Sequence, residues 1–181
     1  MKKIVLRITA GLVILIAALL IFASTKPDTF HVERSATINS SPEILFPLID
    51  NFHNWNYWSP YENLDPAMKK TFSGAENGKG AVYAWEGNSK VGTGRMEILD
   101  TSIFRITIKL DFFKPFEGHN ITEFILEPDR EKTKVTWAMH GPNSFIGKIM
   151  HVFFSMDKMV GKDFETGLLN LKSFAEKQQY K

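Results

Sequence analysis

Arg34, Glu86, Arg95, Glu123 and His140 each sit inside a stretch that otherwise reads as apolar strand. Burying such a group is costly unless it is paired or used, so each is half of an ion pair or a candidate for chemistry. Glu86 and Arg95 lie on strands flanking the turn EGNSKVG, where a cross-strand ion pair accounts for both. If they face an interior cavity instead, Arg95 would hold a carboxylate or enolate oxygen, and Glu86 or Glu123 would act as general base. His140, at a strand end beside the final helix, would cap that helix, lie exposed or transfer a proton. The catalytic candidates are therefore Glu86, Arg95 and His140.

Other chemistries lack their residues. The chain has no cysteine, which removes disulfides, thiolate metal sites, a thiol nucleophile and a lipid-modified cysteine. Its five histidines, at positions 31, 53, 119, 140 and 151, include no i, i+4 pair, so zinc of the usual kind has no ligand set. No GxSxG, P-loop, HExxH or dinucleotide-binding glycine pattern occurs. VGTGR opens a strand rather than a helix and reads as a turn followed by a close-packed strand. Neither metal nor cofactor is implied. Net charge is +2, but Lys2, Lys3 and Arg7 precede the body, which keeps 19 of the 22 basic residues against 20 acidic ones. No basic stripe remains to neutralise a phosphate backbone, and nucleic acid is not an expected partner.

The elements that position these groups begin after an apolar run. From Ile4 to Thr25 only Arg7 carries charge, and its long stem can snorkel to headgroups. At about 20 residues per crossing the run is long enough to span a bilayer. A cleaved signal peptide is the rival reading. The length, and the bulky Phe22 where a small residue is wanted, favour a retained span over residues 1–25. Basic residues precede it and Lys26 alone follows closely, which keeps the N-terminus cytoplasmic and the body outside the cytoplasm. Residues 26–29 make a short linker and residues 30–178 the folded domain.

Within the domain, FHVERSATIN alternates as a half-buried strand. Ser41, Pro42 and Glu43 start a short helix running to about Asp50, which Pro47 would bend or split. NFHNWNYWSPY concentrates aromatics into a second short helix or compact loop that plugs the core or walls a pocket. Six strands between Met68 and His140 follow in an antiparallel meander. One long helix, Ser144 to Gln178, then covers it, with Ile146, Ile149, Phe153, Met156, Val160, Phe164, Leu168 and Leu171 along one apolar face.

This order resembles the START-like, or SRPBCC, superfamily in its polyketide cyclase/dehydrase branch. The carriers are ERSATINSSPEILFPLI, NFHNWNYWSPY with its W-x2-W-x-P, GAVYAWEGN, VGTGRMEI and VTWAMHGPNSF, and the likeness covers about Phe30 to Lys177. It implies an α+β helix-grip fold, in which a curved antiparallel sheet of about seven strands wraps the C-terminal helix around a cavity for lipids, sterols or polyketides. The expected ligand-binding residues are Trp58, Trp85, Arg95, Glu123, Trp137, Met139, Phe153, Met156 and Val160. Three functions are open: a membrane-tethered binder of a hydrophobic small molecule or lipid, an interaction module with a closed core, and a cyclase, dehydratase or hydrolase. The absence of a catalytic motif decides against the enzyme, and the binder is placed first. A reporter fused after Lys181 should be active outside the cytoplasm; activity inside would contradict the anchor.

Overall fold

The computed structural model describes residues 2–178 except Phe154, and the side chains of His151 and Met156 also lie outside the description. The first helix, α1 (Lys2–Ser24), is long and apolar enough to cross a membrane, with an 18-residue stretch of mean hydropathy 2.8. A signal sequence meets the same criterion.

The body is an α+β helix-grip domain built on one antiparallel sheet. Its strands are β1 (Thr29–Ile38), β2 (Lys69–Gly74), β3 (Ala81–Glu86), β4 (Thr93–Ser102), β5 (Arg105–Lys114), β6 (Gly118–Asp129) and β7 (Lys132–Pro142), in the order β1-β7-β6-β5-β4-β3-β2. Neighbours β2 to β7 are joined by short turns, as a meander requires. β1 reaches the last strand instead, pairing Thr29 with Pro142 and Ile38 with Thr133. Alternation decides which side chains enter the core: Ile106 and Ile108, Phe124 and Leu126, Val135 and Trp137 are buried on the concave face. The convex face carries ion pairs such as Arg95–Glu97 and Lys109–Asp111.

Pro42–Asp50 forms α2, with Ser41 at the cap position, and Pro47 leaves it continuous. Its last carbonyls have no intrahelical donors, and the aromatic segment supplies them. Trp58 Nε1 donates to Leu48 O at 2.8 Å and Trp55 Nε1 to Ile49 O at 2.9 Å. That segment is two 3₁₀ turns, Phe52–Tyr57 and Pro60–Asn63. Its indoles build an aromatic cluster with Phe124 and Trp137, Trp58 and Trp137 meeting edge to face at 5.6 Å.

The C-terminal cover departs from a single helix. It divides into α3 (Phe145–Phe153) and α4 (Met156–Gln178). Ser155 starts α4, its carbonyl and hydroxyl oxygens both accepting from the Lys158 backbone N–H, and Asp157 sits in the first turn. Serine followed by an acidic residue is a helix-start signal, here embedded in a continuous apolar periodicity that hid it. The expected dry face is therefore dry only along α4. Phe164, Leu168, Leu171 and Ala175 are buried there, whereas Ile146 and Phe153 on α3 are exposed. Gly161 and Gly167 of α4, lacking side chains, leave room beside the helix. That room is filled: a Cβ at Gly161 would lie 2.2 Å from the Arg34 guanidinium, and one at Gly167 2.6 Å from the Trp137 ring.

Leu171 is 0% exposed and Leu169 62% on the same helix. Leu171→Ala should therefore lose about 2–5 kcal/mol in urea unfolding, and Leu169→Ala no more than about 0.5 kcal/mol.

Candidate ligand cavity

Between the concave face, the aromatic segment, α3 and α4 lies a cavity of about 430 Å³. Small-molecule sites typically occupy roughly 300–1,000 Å³. Its walls are mostly apolar: Phe30, Trp55, Trp85, Met96, Leu110, Phe112, Trp137, Met139, Val160 and Phe164 all contribute. Trp85 can lie in the wall because β4 carries glycine opposite it; a Cβ at Gly94 would meet the indole at 2.4 Å. Gly92, just before, has φ +66°, and a Cβ there would sit 2.2 Å from Lys114 O. VGTGR is thus a tight turn leading into a close-packed strand.

Two tyrosine–carboxylate pairs interrupt the apolar lining. Tyr83 donates its hydroxyl to Glu62 Oε1 at 3.0 Å, and Lys70 pairs with the other Glu62 oxygen while also donating to Asn56 Oδ1 at 2.9 Å. Tyr61 hydrogen-bonds Asp163, which projects from α4 beside Phe164. Burial first, and the neighbouring carboxylate second, push both tyrosines far above the ordinary phenol value. Both hydroxyls therefore remain neutral donors. Burial raises Asp163 as well, partly offset by Tyr61 and Lys162. Asn120 and Thr122 add polar atoms from β6, where Thr122 accepts from Trp137 Nε1 at 3.3 Å. Among the described residues, no group of three or more histidines and carboxylates could hold a metal.

The residues expected from sequence are scattered over several places. Trp85, Trp137, Met139 and Val160 line the cavity. Trp58 lies behind that wall in the aromatic cluster, Phe153 is exposed at the end of α3, and the side chain of Met156 is outside the described residues. Strand parity carries Glu86, Arg95, Glu123 and His140 to the convex face. There Arg95 donates to Glu97 at 2.8 Å, and Glu123 accepts from Arg105 Nε at 3.1 Å. His140 stands opposite His31 with rings 6.4 Å apart, and Glu86 is exposed opposite Lys69 and Thr93. The Glu86–Arg95 pair does not form. Arg34 spans to Asp157 and Glu165, at 2.8 and 2.7 Å, and latches α4 to β1.

The polar groups inside the cavity, Tyr61, Glu62, Tyr83 and Asp163, were not singled out for chemistry. A signal existed for two of them. Tyr83 shares parity with Trp85, and Asp163 follows Val160 by three residues on a helix.

Residues 29–176 match the family described as polyketide cyclase/dehydrase and lipid transport. The chain belongs to this family. Comparison with curated proteins gives no match. Solved structures share the family fold: the Zhui aromatase/cyclase from Streptomyces sp. R1128, at 14% identity and TM-score 0.59, covers 83% of this chain and 95% of its own. The protein CV1439 from Chromobacterium violaceum is 13% identical with TM-score 0.57, covering 83% and 99%. The Aha1 dimer from Colwellia psychrerythraea is 16% identical with TM-score 0.56, covering 81% and 96%.

In this family member Asp163 is raised above 3.8, so its ionised form is disfavoured by folding. The stability its neutral form retains is full below the unfolded value and lost as pH rises through the folded one. Asp163→Asn keeps an acceptor for Tyr61 without the charge. It should raise Tm relative to the unmodified chain at about pH 7, with the gain shrinking toward about pH 3.5; thermal melts at both pH values check this.

Proposed function

We propose that the protein is a membrane-anchored binder of a hydrophobic small molecule, lipid- or polyketide-like, held between the sheet and the C-terminal helices. The single observation that carries this reading is the cavity of about 430 Å³ with its predominantly apolar wall. A closed interaction module would fill that space with side chains. Desolvating a hydrocarbon or ring system against Trp85, Trp137, Met139 and Val160 supplies most of the affinity at about 25 cal/mol per Å² of buried apolar surface. Tyr61 and Tyr83, already oriented by their carboxylates, supply hydroxyl oxygens that accept a hydrogen bond from a ligand and fix its direction. Family membership supports the same ligand class. The length and hydropathy of α1 support its role as the anchor, with the N-terminus in the cytoplasm.

An enzyme of the cyclase, dehydratase or hydrolase type is the second reading, favoured by Glu62 and Asp163 standing in the same cavity. Their bonds to tyrosine hydroxyls place proton donors and acceptors beside any ligand.

Native mass spectrometry of the detergent-extracted full chain should find a co-purifying apolar compound. Val160→Trp, which fills the cavity from α4, should reduce its occupancy about tenfold or more, whereas Leu169→Trp on the exposed face should not. A chain that is always empty, and takes up no fluorescent fatty acid, would remove the binding reading.

A further inference from the structure

The sheet has two ends, and they differ. Register places the start of β1, the end of β7 and the β3–β4 and β5–β6 turns at one end, since Thr29 pairs with Pro142, Glu86 with Thr93 and Phe112 with Gly118. The β2–β3, β4–β5 and β6–β7 turns lie at the other. At about 3.3 Å per residue the ten-residue β1 separates the ends by roughly 30 Å.

Everything that ties α1 to the body is at the first end. Only residues 25–28 separate α1 from β1, a link that reaches less than about 20 Å even when extended. It is also pinned: Asn143 N donates to Asp28 O at 2.7 Å, Asn143 Nδ2 to Pro27 O at 3.2 Å, and Lys148 of α3 pairs with Asp28. Helix α3 packs directly on α1. Among the described residues of α1 only Leu19 and Ala23 lose exposure, so the contact is at its C-terminal end, where a span would leave the bilayer.

The cavity reaches the same end. Lys90 and Val91 from the β3–β4 turn, Phe116 and Glu117 from the β5–β6 turn, and Ile146 and Met150 from α3 line it there. Around them the surface is unusually apolar. Phe116 is 58% exposed, Ile146 57% and Phe153 63%, with Phe113, Phe145 and Met150 also exposed, whereas the β4–β5 turn and its flanks at the opposite end expose Phe104 and Leu99. A patch of this kind marks an interaction surface, and its continuity with α1 specifies the partner.

We infer that this rim lies in the bilayer interface, so that the cavity opens onto the membrane and takes an amphiphile laterally from the leaflet. The inference rests on the reading of α1 as a retained span. The aromatic and aliphatic side chains of the rim sit at headgroup depth, as in interfacial helices. Lys90 and Lys114 beside them are placed for anionic headgroups. An apolar ligand then passes from hydrocarbon to cavity without crossing water.

The cysteine-free chain allows single labels. Leu15→Cys, Phe116→Cys, Ile146→Cys, Phe153→Cys and Glu131→Cys, each carrying a nitrobenzoxadiazole fluorophore, are reconstituted full-length in vesicles of phosphatidylethanolamine and phosphatidylglycerol with brominated acyl chains. Labels at 15, 116, 146 and 153 should be quenched about twofold or more relative to unbrominated vesicles, and the label at 131, in the far β6–β7 turn, should not. Quenching at 15 with labels at 116, 146 and 153 behaving like the one at 131 overturns the inference and leaves the anchor standing. No quenching at 15 overturns the anchor reading, and this inference with it.

Discussion

Phe164 stacks on Trp137 with ring centroids 4.2 Å apart and planes 10° from parallel, and most of the domain is arranged to make that contact. A seven-stranded sheet with an apolar concave face must be covered, and α4 is the long element that does it. Trp137 is the centre of the concave face: Trp58, Trp55 and Phe124 pack around it, and its indole N–H is satisfied by Thr122. Glycine at position 167 lets the helix approach the indole closely. The two 3₁₀ turns between α2 and β2 exist in this form because their tryptophans both fill the core and satisfy the carbonyls that α2 leaves open.

The same contact explains why a cavity exists. Arg34, bonded to Asp157 and Glu165, holds the first half of α4 against β1. Before Ser155 the chain forms α3, so the part of the concave face nearest α1 is roofed by a separate short helix rather than by continuous packing. Space remains beneath it. Its wall is mostly apolar, and the hydroxyls of Tyr61 and Tyr83 beside their carboxylates resist ionisation because burial and a neighbouring negative charge both disfavour a phenolate.

Fold alone assigns little here. An aromatase/cyclase and an Aha1 dimer share this architecture at similar TM-scores, so a function has to be argued from the site. In this chain the site is a mostly apolar cavity with two neutral tyrosine hydroxyls, and it reaches the end of the sheet to which a helix of membrane-spanning length is attached.

Local periodicity made much of the fold legible. Alternation in β5 and β1, the Ser41-Pro42 helix start, the glycine turn before β4 and the apolar run of α1 each depend on a few adjacent residues, and all were readable. The concave and convex faces were readable in principle, since parity follows from alternation. Yet Glu123 and Arg95 drew attention as charges in apolar strands, when their neighbours Phe124 and Met96 already turned them outward. Three-dimensional proximity decided the rest. Tyr61 meets Asp163, and Glu62 meets Tyr83, across separations of 102 and 21 residues in sequence, and no local pattern encodes such pairs. The break at Ser155 was likewise a competition, between a helical periodicity that continued through it and a cap that stopped it. Only tertiary packing resolved it, because the two segments bury against different partners, α4 against the sheet and α3 against α1.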